Sequence, residues 1–320
     1  MVKLGVMIEG QEGLTWERWR RIIETADTNG FNSVWRSDHL FSLMGSPDRD
    51  CIALWPSLNE VGYRSSRLEF GQLVSPITFR HPVHLAIDAV AADELSGGRF
   101  LLGVGAGWNE NEHKAFGFPL PQLKERMDRF EEGLKVITLL LSDEKVSFQG
   151  TYFQLDEAQS RPSPTRGSKV PIVIGGGGEK RTLRLVAEYA DEWNITPATL
   201  EAYAGKVEVL LRHCEDVGRD PETIRRSIML GHIIGRNQDE LKRRAASIQK
   251  VFNAPSDADP EELISRFRER GMLVGAPEEI VEQIQARAEQ GVERIMLQTH
   301  DQTDMEALEL FASDVMPHIS

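Results

Sequence analysis

Apolar and polar positions along the 320-residue chain alternate between two periods almost from end to end. Short runs of strand length fall at Leu4–Ile8, Asn32–Arg36, Leu68–Ser75, Phe100–Val104, Val170–Ile174, Glu192–Ile195, Ser227–Ile234 and Glu293–Gln298. Helical spacing separates most of them. Thr15 predicts the N-cap of a helix with Trp16, Trp19, Ile22, Ile23 and Ala26 on one face, and Gly30 stops it. A short helix is expected over Ile52–Val61, and Pro82 suits the first turn of a helix running to about Leu95. Met127, Phe130, Leu134, Ile137 and Leu141 recur at helical intervals, as do Leu183, Val186 and Ala190 within Lys180–Ala190. Glu201–Val217, helical residues up to Phe252, the stretch from Pro277 to Gly291 and Met305–Val315 complete the helices, while Lys145–Leu155 alternates like a hairpin around Gln149-Gly150 and reads as an insertion.

Eight strands alternating with helices over this length predict an α/β fold, a (β/α)₈ TIM barrel with insertions, occupying residues 1–320 as one domain. A doubly wound open sheet is the alternative. It fits less well because no GxGxxG follows the first strand and polar clusters follow many strands.

The formal charge of −13 argues against nucleic acid or anionic membrane as main partners, and no apolar run is long enough to span a bilayer. Cys51 and Cys214 are far apart with no CxxC, which suggests neither disulfides nor zinc and fits a reducing cytoplasm. The start of the chain lacks the three-part pattern of a signal peptide.

In a barrel, chemistry collects where strands end at the C-terminal face. After the first strand come Glu9, Gly10 and Gln11; after the second, Arg36, Ser37, Asp38 and His39; after the third, Ser75, Thr78 and Arg80. The fourth is followed by Gly105, Gly107, Trp108, Asn109 and Asn111, the sixth by Asn194 and Thr196, the eighth by Gln298 and His300. Between the fifth strand and its helix lie Gly175, Gly176, Gly177 and Gly178. Backbone without side chains allows close approach of a ligand, and helix-start N–H groups favour an anion, with Arg181 at hand as a positive charge. A plain strand-to-helix turn fits the four glycines equally well. This rim suits a large, partly apolar cofactor with a phosphate tail and no metal, since His and carboxylates fall at no ligand spacing.

Asp38-His39 is the best proton-handling pair, the carboxylate orienting the imidazole; the local sequence also fits Asp38 as a cap and His39 as a packing residue. Glu9 is either a strand-end acid or a buried partner of Arg36. His113 and His300 have weaker claims to the site, His300 as a substrate contact, and His81, His84, His213 and His232 read as structural. Asn253–Pro260, rich in breakers, reads as a mobile lid or as a surface insertion.

Several blocks together resemble the bacterial luciferase-like superfamily, and within it the oxidoreductases dependent on the deazaflavin coenzyme F-420. They are Trp35–His39, Thr78–Pro82, Ser96–Asn109, Pro171–Gly178 and Gly275–Ile280. The resemblance implies a usually dimeric barrel with F-420, or alternatively FMN, in its mouth. It implies a non-prolyl cis peptide forming a bulge at Leu73-Val74 behind the ring, and a phosphate on Gly176, Gly177 and Gly178 with Thr196 nearby. It places Gly105, Ala106, Gly107 and Asn111 along the ring and ribityl chain, with Asp38 and His39 near the reactive edge. The sugar-phosphate dehydrogenases of this family carry an acid where this chain has Trp108, which suits an aromatic, hydrophobic or planar substrate better. Glu9, Trp108 and His300 are the candidate substrate residues. The expected activity is hydride transfer between F-420 and a small organic molecule; the alternatives are an FMN-dependent monooxygenase and a non-catalytic flavin-binding protein.

Overall fold

Parallel strands close on themselves in the order in which the chain lays them down. In the computed structural model, which describes residues 2–142, 144–165, 167, 169–196 and 199–319, the barrel strands are β1 (Lys3–Ile8), β2 (Ser33–Arg36), β3 (Glu69–Gln72) and β4 (Phe100–Gly105). They continue as β5 (Ile172–Gly175), β6 (Glu192–Ile195), β7 (Arg225–Ile234) and β8 (Arg294–Gln298). Each pairs with the next, and β8 returns to β1 with Met7 opposite Gln298, so the sheet is a closed (β/α)₈ barrel. Closure leaves no unpaired edge in the ring.

The period of two divides the core into an inner and an outer part. Met7, Trp35, Leu101, Val173, Met229 and Met296 form an inner cluster. Their alternate neighbours, such as Val6, Val34, Leu102, Ile174 and Ile295, join the larger core beneath the helices. The helices are α1 (Trp16–Thr28), α2 (Leu54–Arg64), α3 (Pro82–Ser96), α4 (Glu110–Phe116), α5 (Leu123–Leu140), α6 (Thr182–Tyr189), α7 (Leu200–Val217), α8 (Gln238–Val251), α9 (Pro260–Glu269), α10 (Pro277–Glu289) and α11 (Met305–Leu310). Thr15 caps α1 by accepting from the Arg18 amide, and α3 begins at Pro82. No helix among the described residues is long and apolar enough to cross a membrane.

The expected hairpin forms as Val146–Gln149 against Gln154–Ala158, a separate antiparallel pair. Two helices exceed the sequence expectation. Asn109 caps the short α4, and Asp259 caps α9 with Pro260 at its first turn, so the tract Asn253–Pro260 ends in a helix start. A short strand, Leu273–Gly275, also pairs beside the end of β7.

At the N-terminal end of the barrel, Arg294 is fully buried between Glu69 and Glu192, and Arg225 reaches Glu192 at 3.2 Å. Two guanidinium groups thus face two carboxylates at the end of the barrel opposite the C-terminal strand ends.

Candidate functional site

β3 stops at Gln72. The Leu73-Val74 peptide is cis, at the position the resemblance implied, and Ser75-Pro76 resumes pairing against Val104 and Gly105 of β4. Val74 leans across to the neighbouring strand ends. A Cβ at Gly105 would lie 2.6 Å from Val74 Cγ2, and one at Gly175 would lie 3.0 Å from Val74 Cγ1, so glycine at both positions makes room for the bulge.

Above the bulge opens a cavity of about 680 Å³. Glu9, Asp38, His39, Leu73 and Val74 line it, as do Gly105, Ala106, Gly107 and Trp108; Gly175, Gly176 and Thr196 mark its far side. The volume is that of a cofactor-sized site. Gly176 has φ +123°, donates to Asn194 O and accepts from the Trp193 indole, which fixes the start of the glycine turn. Gly177 and Gly178 are not among the lining residues; they lie beyond the rim toward α6.

His39 is paired, but not with its neighbour in sequence. Its Nδ1 lies 3.1 and 3.2 Å from the two carboxylate oxygens of Glu112, which also accepts from the Leu40 amide at 2.6 Å. Burial draws the imidazole pKa down, yet the hydrogen bond and charge of Glu112, joined by Glu9 and Asp38, outweigh it, and the net shift is upward. The expected orienting role of Asp38 is therefore corrected. Its carboxylate takes a bidentate pair of bonds from Arg80, at 2.7 and 2.9 Å, and one from the Ser75 hydroxyl at 2.5 Å. Asp38 thus joins the second strand end to the third.

The sequence pattern does not single out Glu112, which lies on the short helix α4. A signal was present: Asn109 followed three residues later by an acid is a helix-start pattern. The resulting α4 turns Glu112 and His113 inward and leaves Asn111 exposed, outside the cavity. His113 lines the cavity, with Nδ1 2.6 Å from Asn109 O and Nε2 2.7 Å from Thr78 Oγ1. A carbonyl only accepts, so Nδ1 carries the proton and, in the neutral ring, Nε2 accepts from Thr78.

Other expectations are revised. Glu9 does not pair with Arg36. It accepts from the amides of Gln11 at 2.9 Å and Gln298 at 2.5 Å, while Arg36 donates to Ile52 O and Ser57 Oγ. Arg181 is committed to Asp128 and Glu131 of α5 and is not a spare cation for the glycine turn. His300 is buried between the rings of Phe252 and Phe267 and does not line the cavity. The segment Asn253–Pro260 contributes no lining residue either; Leu43 and Met44, after β2, do. Trp108 stands at the mouth, 64% exposed, with its ring edge-on to His39 at 5.8 Å. Among the described residues no His, Cys, Asp and Glu cluster is arranged to hold a metal ion.

Comparison with known proteins adds four findings. The profile described as luciferase-like monooxygenase matches residues 2–294. An F-420-dependent glucose-6-phosphate dehydrogenase of Amycolatopsis mediterranei is 27% identical over 315 residues, covering 92% of this chain and 92% of that protein. An F-420-dependent hydroxymycolic acid dehydrogenase of Mycobacterium tuberculosis is 30% identical over 265 residues, covering 81% of this chain and 70% of that protein. In overall fold the chain is similar to a solved F-420-dependent secondary alcohol dehydrogenase bound to an F-420–acetone adduct, with TM-score 0.82 and 21% identity over 100% of this chain and 99% of that one.

Proposed function

The chain belongs to the luciferase-like monooxygenase family, and from that premise we propose that it is an F-420-dependent oxidoreductase moving a hydride between the deazaflavin coenzyme and a small organic substrate. The observation that carries the reading is His39, held by Glu112 with a raised pKa, in the same cavity as the Leu73–Val74 bulge. Hydride chemistry needs a proton partner and little else from the protein.

The cavity fits the coenzyme. Its volume suits a fused-ring system, and glycines at 105, 107 and 175 leave space that side chains would fill; a Cβ at Gly107 would run into Thr78. Leu73 and Val74 would back the ring, and Gly105, Ala106 and Gly107 would flank it. Gly175, Gly176, Gly177, Gly178 and Thr196 would receive the phosphate-bearing tail. Bound there, the deazaflavin supplies the site that gives or accepts the hydride. With Nδ1 on Glu112, Nε2 of His39 is the atom that gives or takes the accompanying proton. Glu112 positions that ring, and Asp38 acts at a distance by joining the second and third strand ends.

We further propose a homodimer working in the cytoplasm. Exposed Tyr63 on α2 and Ile87 and Leu95 on α3 support the first, and the free cysteines Cys51 and Cys214 fit the second. Light scattering on the wild type and Ile87→Glu tests the dimer: a monomeric wild type rejects it.

The function is tested by titrating the protein side by side with F-420 and FMN, followed by cofactor fluorescence. F-420 binding at least roughly tenfold tighter than FMN is expected, and Gly107→Ala is expected to weaken it. Tighter FMN binding would turn the reading to an oxygen-using monooxygenase. Failure to bind either would remove the cofactor reading altogether.

A further inference from the structure

Helix α4 spans only the seven residues Glu110–Phe116. A helix that short does not persist in water on its own and takes its place from tertiary anchors. Asn109 caps its start by accepting from the Asn111 amide, and Gly117 closes its end in the left-handed region, at φ +73°. The Phe116 ring that leans on Phe41 is 51% exposed, so little apolar burial fixes the helix from that side.

Two consecutive side chains moor α4 to the barrel, each at a different strand end. Glu112 holds His39 and the Leu40 amide, after β2. His113, 2% exposed, reaches the segment after β3: its Nε2 lies 2.7 Å from Thr78 Oγ1, and its Nδ1 lies 2.6 Å from Asn109 O. The same Asn109 carbonyl accepts from the His113 backbone amide at 3.3 Å. One imidazole thus joins the first turn of α4 to Thr78. The Thr78 hydroxyl in turn lies against Gly107, where an added Cβ would run into it. Among the described residues, Glu112 and His113 alone on α4 hydrogen-bond through their side chains to the segments after β2 and β3.

Resting on the hydride-transfer reading above, we propose that His113 is a positioning residue: its bond to Thr78 latches α4 so that the Glu112 carboxylate meets Nδ1 of His39. Both nitrogens of the His113 ring are engaged, so it holds the helix and moves no proton. Its effect on His39 passes through Glu112. Hydrogen bonds weaken steeply with distance and angle, so a small rotation of α4 takes the carboxylate out of reach of Nδ1. Other groups face the same imidazole. Glu9 and Asp38 add their charges, Arg80 is spent on Asp38, and the Cys51 thiol donates to His39 O at 3.3 Å. None of these lies on α4, so a change confined to its mooring removes the Glu112 contribution alone.

The experiment follows the titration of ring-labelled His39 by NMR in the wild type, Thr78→Val, Thr78→Ser and His113→Asn. Valine keeps the shape of threonine and leaves Nε2 of His113 without its donor, whereas serine keeps the hydroxyl. Asparagine keeps the short reach to Asn109 O and loses Thr78. Thr78→Val and His113→Asn are expected to lower the His39 pKa toward its value in Glu112→Gln, and Thr78→Ser is expected to leave it where it stands in the wild type. Thr78→Val exchanges a hydroxyl for a methyl, so the test holds even if His113→Asn does not fold. A His39 titration unchanged in Thr78→Val overturns the proposal. So does an equal fall in Thr78→Ser and Thr78→Val, which would make the site a matter of packing. F-420 binding to the same samples, followed by fluorescence, separates the two readings. A wild type that binds no F-420 but shows the expected His39 shifts loses the proposed activity and keeps the latch. A wild type that binds F-420 with His39 indifferent to Thr78 keeps the activity and loses the latch.

Discussion

The two ends of the barrel both bury charge, and they do so in opposite ways. At the N-terminal end Arg294 and Arg225 face Glu69 and Glu192, cation against anion. Of the three carboxylates that line the cavity at the mouth, Asp38 has a guanidinium partner, Glu112 is matched by an imidazole, and Glu9 by two amides. An arginine does not give up its proton, whereas a histidine does so near neutrality. The first end is therefore a closed set of charges, and the second retains one proton that can move. On the proposed function, the same barrel uses buried charge as structure at one end and as chemistry at the other.

This comparison can be broken most forcefully at the closed end. Arg294→Leu leaves buried Glu192 and the partly exposed Glu69 with Arg225 in place of two guanidinium groups, and the expected loss is about 3 kcal/mol of stability by denaturant unfolding. F-420 affinity of the folded variant should stay within about twofold, because the floor and the mouth are separate sites. A fall in affinity with unchanged stability would reverse the roles given to the two ends.

His39→Ala should behave in the opposite sense. Turnover is expected to fall about 10²–10⁴-fold, far more than the modest loss of stability from leaving Glu112 without its imidazole. Full turnover with an unchanged pH profile would remove His39 from the mechanism.

Glu112→Gln should be milder and more specific. Glu112 raises the His39 pKa, so its loss should move the imidazole-controlled limb of the rate profile to lower pH. A simple drop in rate with no shift along the pH axis would make Glu112 a packing residue.

The smallest effect concerns stability against pH, where two buried histidines oppose His39. Burial lowers His232 to about 3, and it lowers His300 as well. In the unfolded chain both take up protons near the ordinary imidazole value while the folded protein does not, so stability is complete above that value and falls as pH drops below it. His39 has the raised pKa: its contribution is present in full below the ordinary value and fades as pH rises through the folded one. His300→Gln should flatten the acid side of the stability curve and His39→Gln the neutral side. Identical curves for both variants and the wild type would contradict these shifts.

Much of the barrel was legible because its signals are local. Periodicity located all eight strands, Thr15 and Pro82 marked helix starts, and residue types at strand ends marked the mouth. The Leu73-Val74 bulge came from resemblance, since no local pattern announces a cis peptide. The partners of His39 and Asp38 were not legible. Glu112 lies 73 positions from His39, and Arg80 lies 42 from Asp38, so each pairing exists only once the strands are side by side. Adjacency in sequence suggested that Asp38 serves His39; the strand end points the two side chains to different partners. His300 was misplaced for a related reason, because the aromatic rings that bury it come from α9 and the residue just after α8.

On the proposed function, the mobile proton at the mouth belongs to a His39–Glu112 pair. The most direct test is an NMR titration of ring-labelled His39 in the wild type, Glu112→Gln and Asp38→Asn. The imidazole should titrate above its ordinary value in the wild type, drop clearly in Glu112→Gln, and change little in Asp38→Asn. A His39 pKa insensitive to Glu112, or one that falls further with Asp38 than with Glu112, would contradict it.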